Sequence, residues 1–149
     1  MRPLIFILSI LVFFSCEEEN TADDLSVDFN SIQDQQHYDN ASQETDPFEL
    51  NWVVLDDWIL SLSVSYSGGC EDHDFTLVWP EGILAIYPPQ FIVFVTHDGN
   101  GDLCEAYPTE TLTFDLSNNP LGLNLETLQA AKFGVVNASN SEEVFYPNE

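Results

Sequence analysis

Residues 58–66 carry the strongest folding signal in the chain. From position 60 onward, apolar residues alternate there with serines at 61, 63 and 65. Because successive side chains of a strand point to opposite faces, this period of two predicts a β-strand with one face in a core and the other toward solvent.

Further short apolar segments follow one another along the chain, separated by turn residues. We predict strands at residues 50–55, 58–66, 74–79, 83–87, 91–96, 111–116, 132–137 and 143–146. Only residues 125–131 are typical of a helix, and Asn124 is placed to cap it. About seven or eight short strands with one short helix predict an all-β domain over residues 47–149, built as an antiparallel β-sandwich or barrel.

Residues 1–15 are typical of a secretory signal peptide that is removed. Arg2 precedes an apolar run over residues 4–14, which is too short to span a bilayer as a mature helix. The stretch 13–16, Phe-Phe-Ser-Cys, resembles a bacterial lipobox, and this resemblance implies acylation of Cys16. The alternative is a plain secretory signal followed by an incidental cysteine.

Residues 16–46 are acidic and poor in apolar side chains. Ten acidic residues and no cation lie between positions 17 and 46, and such a composition does not offset the entropy of ordering. We predict the lipidated Cys16 followed by a disordered tether. The glutamates at 17–19 resemble the acidic export signal of surface-displayed lipoproteins of Bacteroidetes, which implies the cell surface. If they are only a solvated segment, the periplasmic face of the outer membrane is the expected location.

The charge balance excludes several classes of partner. The chain has 26 acidic residues against two basic ones and a formal net charge of −24. Nucleic-acid binding requires cations that neutralise phosphates, so we expect none. Membrane attachment is expected only through the lipid anchor. Proteins, glycans and cations remain as unidentified ligands.

Two segments, 67–75 and 96–105, concentrate the residues capable of chemistry. Cys70 and Cys104 form an even pair once Cys16 is used for lipid, so a disulfide is predicted in an oxidising compartment. The alternative is a metal site in which Cys70, His73, His97 and Cys104 bind zinc or copper.

A calcium site is a further alternative. Asp98, Asn100 and Asp102 stand at alternate positions, like the first half of an EF-hand or dockerin loop. The match ends at Leu103, where such a loop has glycine. A turn in which Asp and Asn bond the local backbone is the preferred interpretation, and no cofactor is expected.

Enzymatic motifs are missing from the sequence, which has no nucleophile elbow, zinc-protease helix or phosphate loop. We predict a non-enzymatic binding or structural module. A surface hydrolase acting on neutral polysaccharide is the third hypothesis, and it would need a cleft with two carboxylates. Aromatic residues suited to stacking on sugars, or to filling a core, are Trp52, Trp58, Tyr66, Trp79, Tyr87 and Phe91.

The block 67–75, Ser-Gly-Gly-Cys-Glu-Asp-His-Asp-Phe, is the most specific part of the chain. Together with residues 97–106 it resembles small lipoproteins of Bacteroidetes and flavobacteria. The resemblance covers most of residues 47–149. It implies an outer-membrane lipoprotein and carries no activity with it.

Overall fold

The computed structural model describes residues 32–83 and 86–148, which form seven strands and two helices. In chain order the elements are α1 (Ile32–Gln43), β1 (Phe48–Asp56), β2 (Ile59–Tyr66), β3 (Asp74–Val78), β4 (Gln90–Asp98), β5 (Thr109–Asp115), α2 (Leu125–Ala130), β6 (Lys132–Asn137) and β7 (Asn140–Phe145). The predicted all-β class is confirmed.

The strands form two sheets. A three-stranded sheet has the order β1-β2-β5 and is antiparallel throughout. A four-stranded sheet has the order β3-β4-β6-β7, and β4 pairs with β6 in parallel. The antiparallel prediction is therefore wrong for this one pair. Parallel neighbours need a long crossover, and the chain between β4 and β6 supplies it by passing through β5 and α2.

The core lies between the two sheets. The apolar parity of β2 faces inward, with Leu62 and Val64 fully buried. From the other sheet Val93, Val95 and Val135 meet them, also fully buried. The alternation in residues 58–66 thus marks the core face of a central strand, as expected of a β-sandwich.

One predicted strand is not formed, and the predicted helix is. Ile83, Ile86 and Tyr87 belong to no strand, while residues 84 and 85 lie outside the described residues. Two prolines follow at 88 and 89, and proline has no N–H to donate to a sheet. Asn124 caps α2 as predicted, because its Oδ1 accepts the Thr127 N–H at 2.8 Å.

The disordered tether was predicted too far along the chain, since residues 32–43 form α1. This helix packs on the outer face of the four-stranded sheet, where Ala41 is buried with Phe94 of β4. The ring centroid of His37 lies 5.6 Å from that of Phe94. The signal segment and Cys16 lie outside the described residues. Within the described ranges, no helix has the length and apolar character needed to cross a membrane.

Candidate functional site

The two chemistry-bearing segments meet at one end of the sandwich. Loop 67–73 joins β2 to β3, and loop 99–108 joins β4 to β5; we call them the end loops. A disulfide between Cys70 and Cys104 links them, which confirms the predicted pairing. The backbone N–H of Gly68 also donates to the Ala106 carbonyl at 3.0 Å. The bonded sulfurs are not thiolates, so the alternative zinc or copper site with four ligands is incompatible with this bond.

Asp102 ties the end loops together through backbone amides. Its Oδ2 accepts the N–H groups of Gly69, Cys70 and Glu71 at 2.7, 2.7 and 3.0 Å. Its Oδ1 accepts the N–H of Cys104 at 2.8 Å. Hydrogen bonds from these amides, that of Cys104 foremost, hold the pKa of Asp102 far below its usual range, against the opposing effect of burial. Asp102 is therefore an ionised carboxylate that fills a concave row of N–H groups.

Gly68 is required by this arrangement. Its φ of +135° is one that residues with side chains rarely adopt. A Cβ at this position would lie 2.6 Å from two ring atoms of His73 and 3.0 Å from the Asp102 carboxylate. The glycine in the Gly-Gly-Cys sequence thus allows loop 67–73 to close over the histidine and the aspartate.

His73 and His97 meet directly. Nδ1 of His73 lies 2.8 Å from Nε2 of His97, and Nε2 of His73 lies 3.3 Å from Oδ2 of Asp102. The side chains of His73 and Asp102 are 2% and 3% exposed, and His97 is 2% exposed. The result is a buried chain of three polar side chains, Asp102–His73–His97, in place of a tetrahedral cluster around one point.

When the rings of His73 and His97 are both neutral, the hydrogen bonds determine which nitrogen of each ring carries the proton. The Asp102 carboxylate can only accept, so Nε2 of His73 carries a proton and Nδ1 of His73 accepts from Nε2 of His97. Nδ1 of His97 then holds a lone pair, and this buried atom has no hydrogen-bond partner among the described residues. Burial lowers the pKa of His97, and nearby His73 acts in the same direction, whereas the Asp46 backbone opposes them.

Aromatic rings enclose the histidine pair. Phe75 stacks on His97 with ring centroids 4.4 Å apart, and Tyr66 lies 4.4 Å from His73. Burial, followed by a hydrogen bond to Glu110, raises the pKa of Tyr66 to about 12. The polar chain is consequently packed as part of the core at this end of the sandwich.

One group of side chains in the described part of the molecule has the spacing of metal ligands. A sulfur of Cys70, a sulfur of Cys104 and a carboxylate oxygen of Asp102 lie within 4.8 Å of one another. The sulfurs are already bonded to each other, and both Asp102 oxygens accept backbone N–H groups. These atoms therefore do not form a set of free donors for a cation.

The residues of the calcium alternative are engaged in separate hydrogen bonds. Oδ1 of Asp98 accepts the N–H of Asn100 at 2.8 Å, which is the local turn that the sequence favoured. The side-chain amide of Asn100 donates to the Asp72 carbonyl at 2.7 Å. Asp102 faces loop 67–73, as described above. Calcium binding stays a prediction.

Some of the aromatic residues that the sequence suggested for sugar stacking are buried in the structure, and others are exposed. Tyr66 and Phe91 are buried, and Trp58 and Trp79 pack against the core. Trp52 is 41% exposed on the outer face of the three-stranded sheet. Tyr87 is exposed in the connection between β3 and β4.

A cleft runs along the edge of β1 and contains two carboxylates, those of Glu49 and Glu143. Its volume is about 340 Å³. The remaining lining residues are Phe48, Leu50, Asn51, Asn137, Asn140 and Phe145. Burial and, to a smaller extent, a hydrogen bond to Glu49 raise the pKa of Tyr107. Hydrolysis at this cleft stays a prediction.

The sequence analysis missed two polar residues that precede β1. The Asp46 carboxylate accepts the Gly99 N–H at 2.8 Å, and the Thr45 hydroxyl accepts the His97 N–H at 2.9 Å. Their partners lie more than fifty positions away in the chain, so no local spacing could have indicated them.

Scans of family models, of curated proteins and of solved structures found no match to this chain.

Proposed function

We propose that the chain is a lipid-anchored lipoprotein of the bacterial outer membrane, with a β-sandwich that serves as a non-enzymatic binding or structural module. The observation that carries this proposal is the Cys70–Cys104 disulfide. Such bonds persist in oxidising compartments, which agrees with a signal peptide at residues 1–15. Acylation at Cys16 would supply durable attachment, because several acyl chains bind a membrane far more firmly than one.

The end loops support a non-enzymatic module. The ionised carboxylate of Asp102 is occupied by amides, the sulfurs are oxidised, and His73 bonds at both ring nitrogens. A catalytic group needs access to substrate, whereas the side chains of His73, His97 and Asp102 are almost fully buried. Their arrangement suits the fixing of two loops at one end of a rigid scaffold.

Expression of the full chain in a Gram-negative host tests the anchor. We expect the protein to partition into the detergent phase, with an intact mass that lacks residues 1–15 and includes acyl groups on Cys16. Cys16→Ser should move it to the aqueous phase without acyl mass, and Ser26→Ala in the same segment should change nothing. Identical partitioning of the wild type and Cys16→Ser would refute the lipid anchor.

Protease treatment of whole cells distinguishes the two faces of the outer membrane. Degradation in intact cells would place the domain at the surface, as the glutamates at 17–19 imply. Degradation only after the outer membrane is permeabilised would place it on the periplasmic face. Replacing the three glutamates with glutamine tests whether their charge directs the choice.

A further inference from the structure

The two outer faces of the sandwich differ in chemistry. The outer face of the four-stranded sheet is apolar, and α1 packs on it. The outer face of the three-stranded sheet remains open, with Trp52, Val54 and Ile59 exposed to 41, 50 and 40%. Strand β2 presents serines to this face, since its apolar residues point into the core.

The sizes of the paired residues on this open face indicate a trough. Ser63 of the central strand lies between Trp52 of β1 and Thr111 of β5, and in the next row Ser61 lies between Val54 and Thr113. Serine is smaller than the residues on either side, so the serines form a floor between two higher walls. We call these six residues the outer trough. A bulge in β1 next to Trp52 places Asn51 at one end, where its amide donates to Ser63 at 3.3 Å.

The side chains of the trough combine free hydroxyl groups with an exposed ring. The hydroxyls of Ser61, Thr111 and Thr113 make no hydrogen bond to another described residue. Each can donate and accept, as the hydroxyls of a sugar can. The indole of Trp52 offers a flat apolar surface with a polar edge, which suits the C–H face of a sugar ring.

The charge of this face excludes anionic occupants. Asp56 and Asp115 flank Ile59 in the last row of the same face. The only cation after Arg2 is Lys132, which belongs to the other sheet and lies over the Tyr146 ring. Anionic polymers and a second copy of this acidic chain are both repelled from such a face. A neutral, hydroxyl-rich ligand fits it.

We propose that the outer trough binds neutral polysaccharide, with Trp52 stacking on a sugar ring and Ser61, Thr111 and Thr113 bonding its hydroxyls. This inference rests on the binding role proposed above and names its ligand class. The cleft beside β1 adjoins the trough through Asn51, which lines the cleft and bonds Ser63. A polymer chain could therefore extend beyond the trough along this edge.

Native affinity electrophoresis tests the proposal with the detergent-solubilised full chain. The gels contain dextran, mannan or xyloglucan as neutral polysaccharides, or alginate as an anionic one. We expect retardation by at least one neutral polymer and none by alginate. Trp52→Ala should weaken the apparent affinity about tenfold, the size expected for loss of one aromatic contact. Ser61→Gln, which fills the trough and keeps the ring, should also weaken binding.

Tyr87→Ala is the matched control, because it removes an exposed ring from a connection in the other sheet and should leave retardation unchanged. Thermal unfolding and the mass of the disulfide-bonded chain verify that each variant is folded. Free migration in all neutral gels, equal retardation by alginate, or full binding by both trough variants would each overturn the proposal. Loss of polysaccharide binding by a chain that is still acylated refutes the trough alone, whereas an unacylated chain refutes the anchor whatever the gels show.

Discussion

Asp102 is the residue on which the end loops depend most. Four backbone amides converge on its carboxylate, and two of them belong to the disulfide cysteines. The alternation of Asp98, Asn100 and Asp102 suggested calcium, but the amides around the Asp102 side chain give this residue a different role. An anion in a row of N–H groups needs no metal to be stable.

Asp102→Asn should lower the thermal midpoint at pH 7. Asparagine is neutral, and its NH₂ group would face amide donors that the carboxylate now satisfies. Asp115→Asn is the matched control, since Oδ1 of Asp115 accepts only one local amide, that of Ser117, at 2.8 Å. Differential scanning calorimetry compares the two variants. Equal midpoints for both would contradict the role assigned to Asp102.

His97 should make the protein less stable in mild acid. Its pKa is lowered by burial in the folded state, so the unfolded chain takes up a proton there at a higher pH than the folded chain does. The contribution of neutral His97 to the free energy of unfolding is complete above the usual histidine pKa of about 6.5. It is lost as the pH falls from there through the pKa of His97 in the folded state. Urea unfolding between pH 7.5 and 5 measures the slope of the free energy of unfolding against pH.

The variant His97→Phe identifies the source of that slope. Phenylalanine fits an environment that already contains Phe48 and Phe75, and it does not titrate. The loss of stability toward pH 5 should therefore be smaller than in the wild type. An unchanged slope would mean that other groups cause the acid sensitivity.

At the level of elements, the apolar side chains on both faces of β4 account for the packing of α1 on the sheet. Phe91, Val93 and Val95 face the core between the sheets, whereas Ile92 and Phe94 face outward. A strand that is apolar on both faces needs cover on both, and α1 covers the outer one. The unbroken apolar run in β4 was the available signal for this helix, because the composition of residues 32–43 alone resembles a disordered segment.

Ala41→Asp should detach α1 from the sheet. Ala41 is 6% exposed, and a carboxylate there would lose hydration without gaining a partner, at a cost above the roughly 1–3 kcal/mol of a buried neutral polar group. Asn40→Asp adds the same charge to an exposed position of the same helix. We expect faster proteolysis within residues 32–46 and lower stability for Ala41→Asp only. Similar behaviour of the two variants would show that charge, and not burial, is responsible.

The disulfide should be a large contribution to the stability of the sandwich. It closes a sequence separation of 34 residues, for which chain entropy predicts a loss of about 3–4 kcal/mol when both cysteines are replaced by alanine. Urea unfolding of Cys70→Ala/Cys104→Ala measures this loss. The variant should remain folded, because the Asp102 amide bonds still join the end loops. A change near zero would show that these bonds suffice without the disulfide.

For the whole molecule, the acidic surface is a source of self-repulsion. With a net charge of −24, compaction brings like charges together, and salt reduces the resulting penalty. The thermal midpoint should therefore rise between low and moderate NaCl concentration.

Magnesium and calcium chlorides at matched ionic strength separate screening from a specific site. We expect equal midpoints in the two salts, because the carboxylates of Asp98 and Asp102 accept backbone amides. An additional rise in calcium that Asp98→Asn removes would establish the calcium loop instead.

Local sequence patterns predicted the strands that form and the cysteine pairing. Alternation in residues 60–66 depends only on the geometry of one strand, and it identified the core face correctly. The disulfide followed from counting cysteines in a chain with a predicted signal peptide. Both inferences use local or compositional information, which exists before the chain folds.

The contacts between distant segments depend on the topology and could not be predicted from local patterns. The parallel β4–β6 pair, the cover by α1 and the contact between His73 and His97 all depend on which segments the topology makes neighbours. His73 and His97 were candidates from their residue types, yet their bonding to each other and to Asp102 required β3 and β4 to pair in one register. Local patterns predict which face of a strand is buried, whereas the topology determines which residues pack against that face.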